Sequence, residues 1–167
     1  MLDGGGPSVP MVSINAWLVS DTRAELMPDI RGRCRGLDLK PVVEGFAMGE
    51  VAIEPMPVVH TSHPTCGYLI KVGGRHAVWA PEFWRFPMWA MGVDLMFADA
   101  AGWRQPIRFA GGVGGHAAVV ETAEQARRHG VRRLVFAHIG RPSIRAIDAS
   151  EAPLYGEWGV EGQTYLL

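Results

Sequence analysis

The chain has 167 residues and a mass of 18.2 kDa, with 48% apolar residues, 20% charged residues and a formal net charge of −1. A chain of this size buries about two-thirds of its surface, which predicts one domain over 1–167. The turn-rich start predicts a loose segment at 1–8, and the apolar and charged fractions exclude whole-chain disorder. The charge argues against non-specific polyanion binding, and two cysteines are too few for a disulfide framework.

The first forty residues contain neither a membrane span nor a signal peptide by pattern. The uncharged run from Gly4 to Ser20 is interrupted by three glycines and two prolines. Asp3 is the only charge before that run, so the basic region of a signal peptide is missing. We therefore expect a cytoplasmic protein.

Three segments are predicted before residue 41. The alternation in Val9–Asn15 predicts a short strand, and Ala16–Met27 predicts a helix that ends before Pro28. Arg31–Lys40 is basic and glycine-rich, and we interpret it as a solvated connection rather than a nucleic-acid contact.

Strand patterns follow from residue 49 onward. Gly73-Gly74 is a two-residue turn that predicts a hairpin between the strands on either side of it. The predicted strands are Gly49–Ile53, Met56–His60, Tyr68–Val72 and His76–Ala80.

The second half of the chain adds helix to strand. An apolar strand is expected at Asp94–Ala100, a helix at Ala117–His129, a strand at Arg133–Ile139 and a short strand at Gln163–Leu167. Acidic residues early in the helix, arginines late and Gly130 beyond it agree with the helix dipole and with C-terminal capping. The pattern predicts a mixed α/β fold.

Three histidines and two carboxylates lie where these elements end. His60 and His138 close predicted strands, and His116 stands between a glycine-rich loop and the helix. Glu82 and Asp99 follow apolar strands, and a carboxylate beside two histidines completes a zinc-type ligand set. The alternatives are packed histidines and turn carboxylates that accept backbone N–H groups.

The order of these motifs resembles the metallo-β-lactamase superfamily, in its RNase Z-like and phosphodiesterase-like branches. The residues concerned are VVHTSHPTCGYLIKVGGRHAVWAPEFW, then DLMFADA, then GGHAAVVETAEQARRHGVRRLVFAHI. The match runs from about Glu50 to Arg145. The resemblance implies the C-terminal half of an αββα sandwich, a mixed sheet covered by helices on one side.

The resemblance also implies roles for single residues. His60, Glu82 and His138 would hold a metal, with His63 the alternative to His60. His116 would assist the leaving group. The family's bridging carboxylate is normally Asp, and its H-x-H-x-D-H signature does not occur in this sequence. We therefore expect at most one metal per chain, zinc or else manganese or iron.

The aromatic segment after Glu82 has two interpretations: core, or the wall of a substrate pocket. In the second interpretation Trp84 and Trp89, together with His63, contact the substrate. The implied substrate is a small molecule or a phosphodiester; the low charge disfavours nucleic acid without excluding it, and no membrane partner is expected.

Two functions follow from the resemblance. The first is hydrolysis of a phosphodiester, ester or lactone by metal-bound hydroxide, provided that the N-terminal half is supplied. The alternative is a non-catalytic half-fold that dimerises or binds a partner, because strands with continuous apolar runs need cover on both faces. A homodimer or pairing with an N-terminal half would supply that cover.

Overall fold

The structure, a computed structural model, describes residues 44–60, 65–111 and 114–167. The strand predicted at Val9–Asn15, the helix at Ala16–Met27 and the connection at Arg31–Lys40 lie outside these ranges. The described strands are β1 (Phe46–Met48), β2 (Val51–Val58), β3 (Thr65–Val72), β4 (Arg75–Ala80), β5 (Leu95–Asp99), β6 (Ile107–Arg108), β7 (Gly115–His116), β8 (Leu134–Ala137) and β9 (Glu157–Trp158). The described helices are α1 (Val119–Arg128) and α2 (Arg141–Asp148), with a 3-10 turn at Met88–Ala90.

One mixed sheet of seven strands organises the described chain, in the order β1-β2-β3-β4-β5-β8-β9. Strands β1 to β4 pair antiparallel, and β4, β5, β8 and β9 pair parallel. Strands β6 and β7 form a separate antiparallel ribbon. The mixed sheet confirms the predicted fold class.

Side chains alternate between the two faces of the sheet, as the period of a strand requires. Both helices pack on one face, where Val119 and Ala123 of α1 and Ala146 of α2 join a buried cluster with Val78 and Met96. The apolar residues of α1 recur at helical spacing, so the helix buries one stripe and leaves its charged side in solvent. The two helices therefore cover the same side of the sheet.

The opposite face of the sheet holds a second buried cluster. Ile70, Ala77 and Val135 lie there, and the chain's last residues pack against it through Tyr165 and Leu167. The Gln163–Leu167 prediction was wrong about the element, because these residues form no strand, and short parallel pairing occurs instead at β9. The tail acts as cover rather than as a strand.

The hairpin and the helix ends confirm the turn and capping predictions. Val72 pairs with Arg75 across the Gly73-Gly74 turn, and both glycines have positive φ, as a tight hairpin turn needs. Glu121 lies in the first turn of α1, Arg127 and Arg128 lie in its last turn, and Gly130 has a φ of 72°.

Two predicted strands are one in the structure. Strand β2 runs through Pro55, where the prediction placed a break between Ile53 and Met56, and through Pro57. Proline cannot donate to a ladder and is confined to edges. Among the described strands, β1 pairs with residues 51–53, so the proline-containing part of β2 has a described partner strand, β3, on one side only. His60 then lies two residues beyond the end of the strand rather than closing it.

Helix α2 was not predicted, and neither was the β6–β7 ribbon. Arg141–Asp148 is short and carries Pro142 in its first turn, so its helical pattern is weak in the sequence. Among the described residues there is no helix that combines the length and apolar composition required to cross a membrane.

Candidate metal centre

The candidate site lies at one edge of the sheet, where four strands end. Strands β4, β5 and β8 are parallel, so their carboxyl ends meet at this edge. Strand β2 is antiparallel to β3, which is antiparallel to β4, so β2 also ends there. Glu82 follows β4, Asp99 ends β5, His138 follows β8 and His60 follows β2.

His60 is buried and is fixed by the ribbon. Its Nδ1 lies 3.0 Å from the carbonyl oxygen of Gly115, and its own carbonyl accepts the Gly115 N–H at 2.8 Å. A carbonyl can only accept, so Nδ1 donates this hydrogen bond, and Nε2 is the nitrogen that faces the site. Nε2 lies 3.7 Å from Oε2 of Glu82. This is the pattern of a metal-ligating histidine with an oriented second nitrogen.

Asp99 is completely buried and organises its surroundings. Its Oδ2 accepts the backbone N–H of Phe83 at 3.0 Å and lies 2.7 Å from Nδ1 of His116, and its Oδ1 accepts the N–H of Ala101 at 2.9 Å. Burial raises the pKa of Asp99, but the contacts with His116 and His138 outweigh it and hold that pKa below its usual value. The carboxylate is therefore ionised and anchored.

His138 faces two carboxylates with its two ring nitrogens. Nε2 lies 3.6 Å from Oε1 of Glu82, and Nδ1 lies 3.7 Å from Oδ1 of Asp99. The Asp99 carboxylate raises the pKa of His138, partly offset by burial. The residue adopts a φ of 51°, a left-handed conformation that is uncommon outside glycine and that clusters at functional sites.

The donor atoms of these five side chains form two overlapping groups. Asp99, His116 and His138 each offer one atom within 4.8 Å of the others. Glu82 contacts His60 through Oε2 and His138 through Oε1, at the distances given above. Among the described residues, the three donors that all lie within 4.8 Å of one another are those of Asp99, His116 and His138, so Glu82 makes two separate histidine contacts beside that group.

The hydrogen bonds distinguish the two groups chemically. Asp99 already accepts two backbone N–H groups and lies against His116, which is the behaviour of an orienting carboxylate. Glu82 and the Nε2 atoms of His60 and His138 meet at a partly open edge. Nitrogen and carboxylate donors of this kind suit a divalent transition metal.

The predicted substrate residues separate in the structure. Trp84 packs its ring on Gly115 and lines a cleft beside helix α1. Trp89 lies instead against β2 and β3, where its Nε1 donates to the carbonyl of Pro57 at 2.9 Å and its ring abuts Gly67. Phe83 is buried in the core. His63 lies outside the described residues. The aromatic segment thus serves both as core and as the wall of a cleft.

The sequence indicates Asp99 as one of two candidate carboxylates and does not reveal its contacts in the site. Its contacts with His116 and His138 join residues 17 and 39 positions away, which no local pattern reveals. The role of Gly115 was missed as well, although a glycine directly before a candidate histidine was a visible signal.

A family model described as the beta-lactamase superfamily domain matches residues 14–139. No curated protein matches the chain.

Three solved structures share the fold. They are the metallo-beta-lactamase fold protein YhfI from Bacillus subtilis (13% identity, TM-score 0.53, 72% of this chain and 50% of that one), a diphosphatase from the PhnP family (19%, 0.55, 75% and 47%), and Zn²⁺-bound PqqB from Methylobacterium extorquens (14%, 0.55, 83% and 59%). The chain therefore spans about half the length of these structures.

Proposed function

The chain belongs to the beta-lactamase superfamily, and on that premise we propose that it is a metal-dependent hydrolase acting on a phosphodiester, ester or lactone. In this proposal His60, Glu82 and His138 hold the metal, and Asp99 and His116 complete the site. The supporting observation is the convergence of these five side chains, from separate strand ends and the ribbon, at one edge of the sheet.

The donor set fits a divalent transition metal, and a zinc-bound structure is among those that share the fold. When bound, such a metal supplies Lewis-acid activation of water for hydrolysis. The protein's own part is orientation. Gly115 fixes His60, and Asp99 lies beside both His116 and His138, so the ring directions are set before any ligand arrives.

His116 has the geometry of a proton donor to the leaving group. Its Nδ1 is held by the buried Asp99 carboxylate at 2.7 Å, which fixes that nitrogen and leaves Nε2 for the substrate side. A histidine positioned beside the reacting group can transfer a proton to it. The ring centre lies 4.7 Å from that of His60 and 5.0 Å from that of His138, so the donor stands beside the proposed ligands.

The test uses two phosphodiesters with different leaving groups. Protein purified without chelator should hydrolyse bis(4-nitrophenyl) phosphate, lose that activity on chelation and recover it with Zn²⁺ or Mn²⁺. His116→Ala should lower kcat by about 10²–10⁴-fold on diphenyl phosphate, whose leaving group needs a proton, and by less on the nitrophenyl ester. His76→Ala, an exposed histidine elsewhere on the sheet, is the matched control. Hydrolysis indifferent to chelation would refute the proposal.

A second candidate function is a non-catalytic module that pairs with another chain. It is favoured by one observation: the sequence contains no H-x-H-x-D-H. Under this alternative the purified protein is a symmetric dimer or carries a bound partner, and it lacks hydrolytic activity with any added metal. Light scattering distinguishes these states, and an active monomer would exclude the alternative.

A further inference from the structure

A cleft lies beside helix α1, outside the candidate metal centre. One wall is formed by the segment 84–88, and the other by Ala117 and the first two turns of α1. None of the five side chains described at the metal centre lines this cleft. Its volume is about 210 Å³, which is the space of roughly seven water molecules and is below the range of drug-sized pockets. The cleft therefore has room for one small molecule.

The 84–88 wall presents apolar surface to the cleft. Trp84 and Phe86 are half-buried, and Met88 is 53% exposed. The Phe86 ring stacks on His129 with ring centres 5.7 Å apart, which restricts its position. Apolar surface that is open to water in this way gains free energy when an apolar group covers it. The wall therefore favours a ligand with an apolar part.

Two opposite charges line the two walls of the cleft. Arg85 belongs to the 84–88 wall and Glu121 to α1, and both residues are exposed. They form no ion pair with each other, and neither side chain has another ion pair among the described residues. Glu124, the next carboxylate along α1, pairs instead with Arg128. Within the described part of the chain, the cleft thus carries one cation and one anion without partners.

The α1 wall also offers two uncharged hydrogen-bonding groups. Thr122 lines the cleft and is only 1% exposed, and its hydroxyl has no hydrogen-bond partner among the described residues. A buried hydroxyl without a partner is unfavourable, because burial removes its hydrogen bonds with water. Gln125 lines the same wall. A hydroxyl and an amide can both donate to a carboxylate oxygen, so these groups would bind the anionic part of a ligand together with Arg85.

The two charges select a ligand that carries both signs. An anionic ligand would leave the Glu121 carboxylate unpaired beside it, and a cationic ligand would do the same to Arg85. The volume of the cleft is too small for a peptide chain, and the apolar wall requires a hydrophobic group. A free amino acid combines a carboxylate, an ammonium group and a side chain within that size.

We infer that this cleft binds a free amino acid with an apolar side chain of moderate size, such as leucine. The carboxylate lies at Arg85 and Thr122, the ammonium group lies at Glu121, and the side chain packs on Trp84 and Phe86. The cleft is separate from the candidate metal centre, so the inference goes beyond the proposed function and does not depend on it.

Titration calorimetry of the purified full chain with three related ligands tests the inference. Leucine carries both charges, isoamylamine lacks the carboxylate, and isocaproic acid lacks the ammonium group. We expect leucine to have a Kd at least about tenfold lower than either of the other two, because a hydrogen bond to a charged group contributes that much. Equal affinities for the three ligands, or no binding of leucine at millimolar concentration, would overturn the inference.

Two variants that remove one charge each assign the two ends of the ligand. Glu121→Gln should raise the Kd of leucine and of isoamylamine by about five- to tenfold and leave that of isocaproic acid unchanged. Arg85→Gln should raise the Kd of leucine and of isocaproic acid to the same extent and leave that of isoamylamine unchanged. Glu124→Gln, on the same helix but outside the cleft, is the matched control and should leave all three affinities unchanged.

The pattern of the variants decides where leucine binds. If leucine binds equally well to wild type, Glu121→Gln and Arg85→Gln, the ligand lies elsewhere on the protein and the inference fails. It also fails if Glu124→Gln has the same effect as Glu121→Gln, or if each variant weakens all three ligands alike.

Discussion

Asp99 connects the backbone of the site to its histidines. It is buried at the end of β5, accepts the N–H groups of Phe83 and Ala101, and lies against His116 and His138. A buried carboxylate is stable only when it is satisfied in this way. One side chain thus sets the positions of the loop after β4 and of two imidazole rings.

Asp99→Asn should therefore weaken metal binding without removing a proposed ligand. Both oxygens of Asp99 act as hydrogen-bond acceptors, whereas an asparagine side chain has one oxygen and one NH2 group, which cannot accept. One of the two histidines therefore loses its contact with an acceptor and with it its orientation. Loss of such an outer carboxylate typically lowers metal affinity by about 10–100-fold. Competition with a metal indicator measures the change. Asp94→Asn, one residue before the same strand and paired with Arg132, is the control. Unchanged affinity in Asp99→Asn would show that the carboxylate does not orient the ligands.

Gly115 is required by close approach as well as by its backbone. Its φ is +151°, and a Cβ there would lie 2.0 Å from the carbonyl oxygen of Ile107 and 2.7 Å from the Trp84 ring. Gly111 also has positive φ, but a Cβ would meet nothing within 4 Å. Alanine substitutions at the two glycines therefore distinguish the cost of conformational strain from the cost of a steric clash.

Gly115→Ala should lower the free energy of unfolding by several kcal/mol, because backbone strain of about 1 kcal/mol adds to overpacking of about 1–3 kcal/mol. Gly111→Ala should cost only about 1 kcal/mol. Urea denaturation of both variants measures the difference. Similar losses in the two variants would mean that the ribbon can shift away from Trp84 and His60 at little cost.

At the scale of elements, the C-terminal tail replaces a predicted strand. The Tyr165 ring meets Phe97 edge-to-face at 5.2 Å, lies under the Arg133 guanidinium at 5.0 Å, and accepts the Val160 N–H through its hydroxyl at 3.1 Å. These contacts cover part of the sheet face that bears no described helix. The sequence pattern Gln163–Leu167 indicated apolar contact correctly but not the form that it takes.

Tyr165→Ala should destabilise the protein by roughly 2–4 kcal/mol, since it removes a partly buried aromatic side chain and its ring contacts. Leu166→Ala, the neighbouring residue, should change stability by less than about 0.5 kcal/mol because Leu166 is 82% exposed. Thermal or urea denaturation compares them. Equal stability of the two variants would show that the tail does not stabilise the sheet.

Local patterns predicted the elements whose cause is local. The Gly73-Gly74 hairpin, helix α1 with its end charges, and the apolar strands β5 and β8 follow from turn chemistry, capping and continuous burial. Strand β2 did not, because whether proline is tolerated depends on which side of the strand is paired, a property of the sheet. Helix α2 is short and gains its stability from packing Ala146 on the core, which the sequence does not display.

At the scale of the whole molecule, the site follows from sheet topology. His60, Glu82, Asp99 and His138 come from four strand ends, and the order of strands brings those ends to one edge. The sequence identifies each residue as a donor at a strand end, and the family resemblance gives the order of these donors along the chain. The sequence does not show that Asp99 lies against His116 and His138, because that contact depends on the register between β5 and β8 and on the ribbon.

The proposed ligand set implies a definite metal content. Three protein ligands and an open position describe a catalytic type of zinc site, and the proposed set of His60, Glu82 and His138 would supply one such site per chain. Because Glu82 contacts the Nε2 atom of His60 through Oε2 and that of His138 through Oε1, its carboxylate is the proposed ligand whose loss should matter most.

Elemental analysis of protein purified without chelator tests this most directly, comparing wild type with Glu82→Gln and with His76→Ala, the exposed histidine outside the site. We predict about one transition metal per chain in wild type and in His76→Ala, and far less in Glu82→Gln. Two tightly bound metals per chain, or a content that Glu82→Gln leaves unchanged, would contradict the proposed centre.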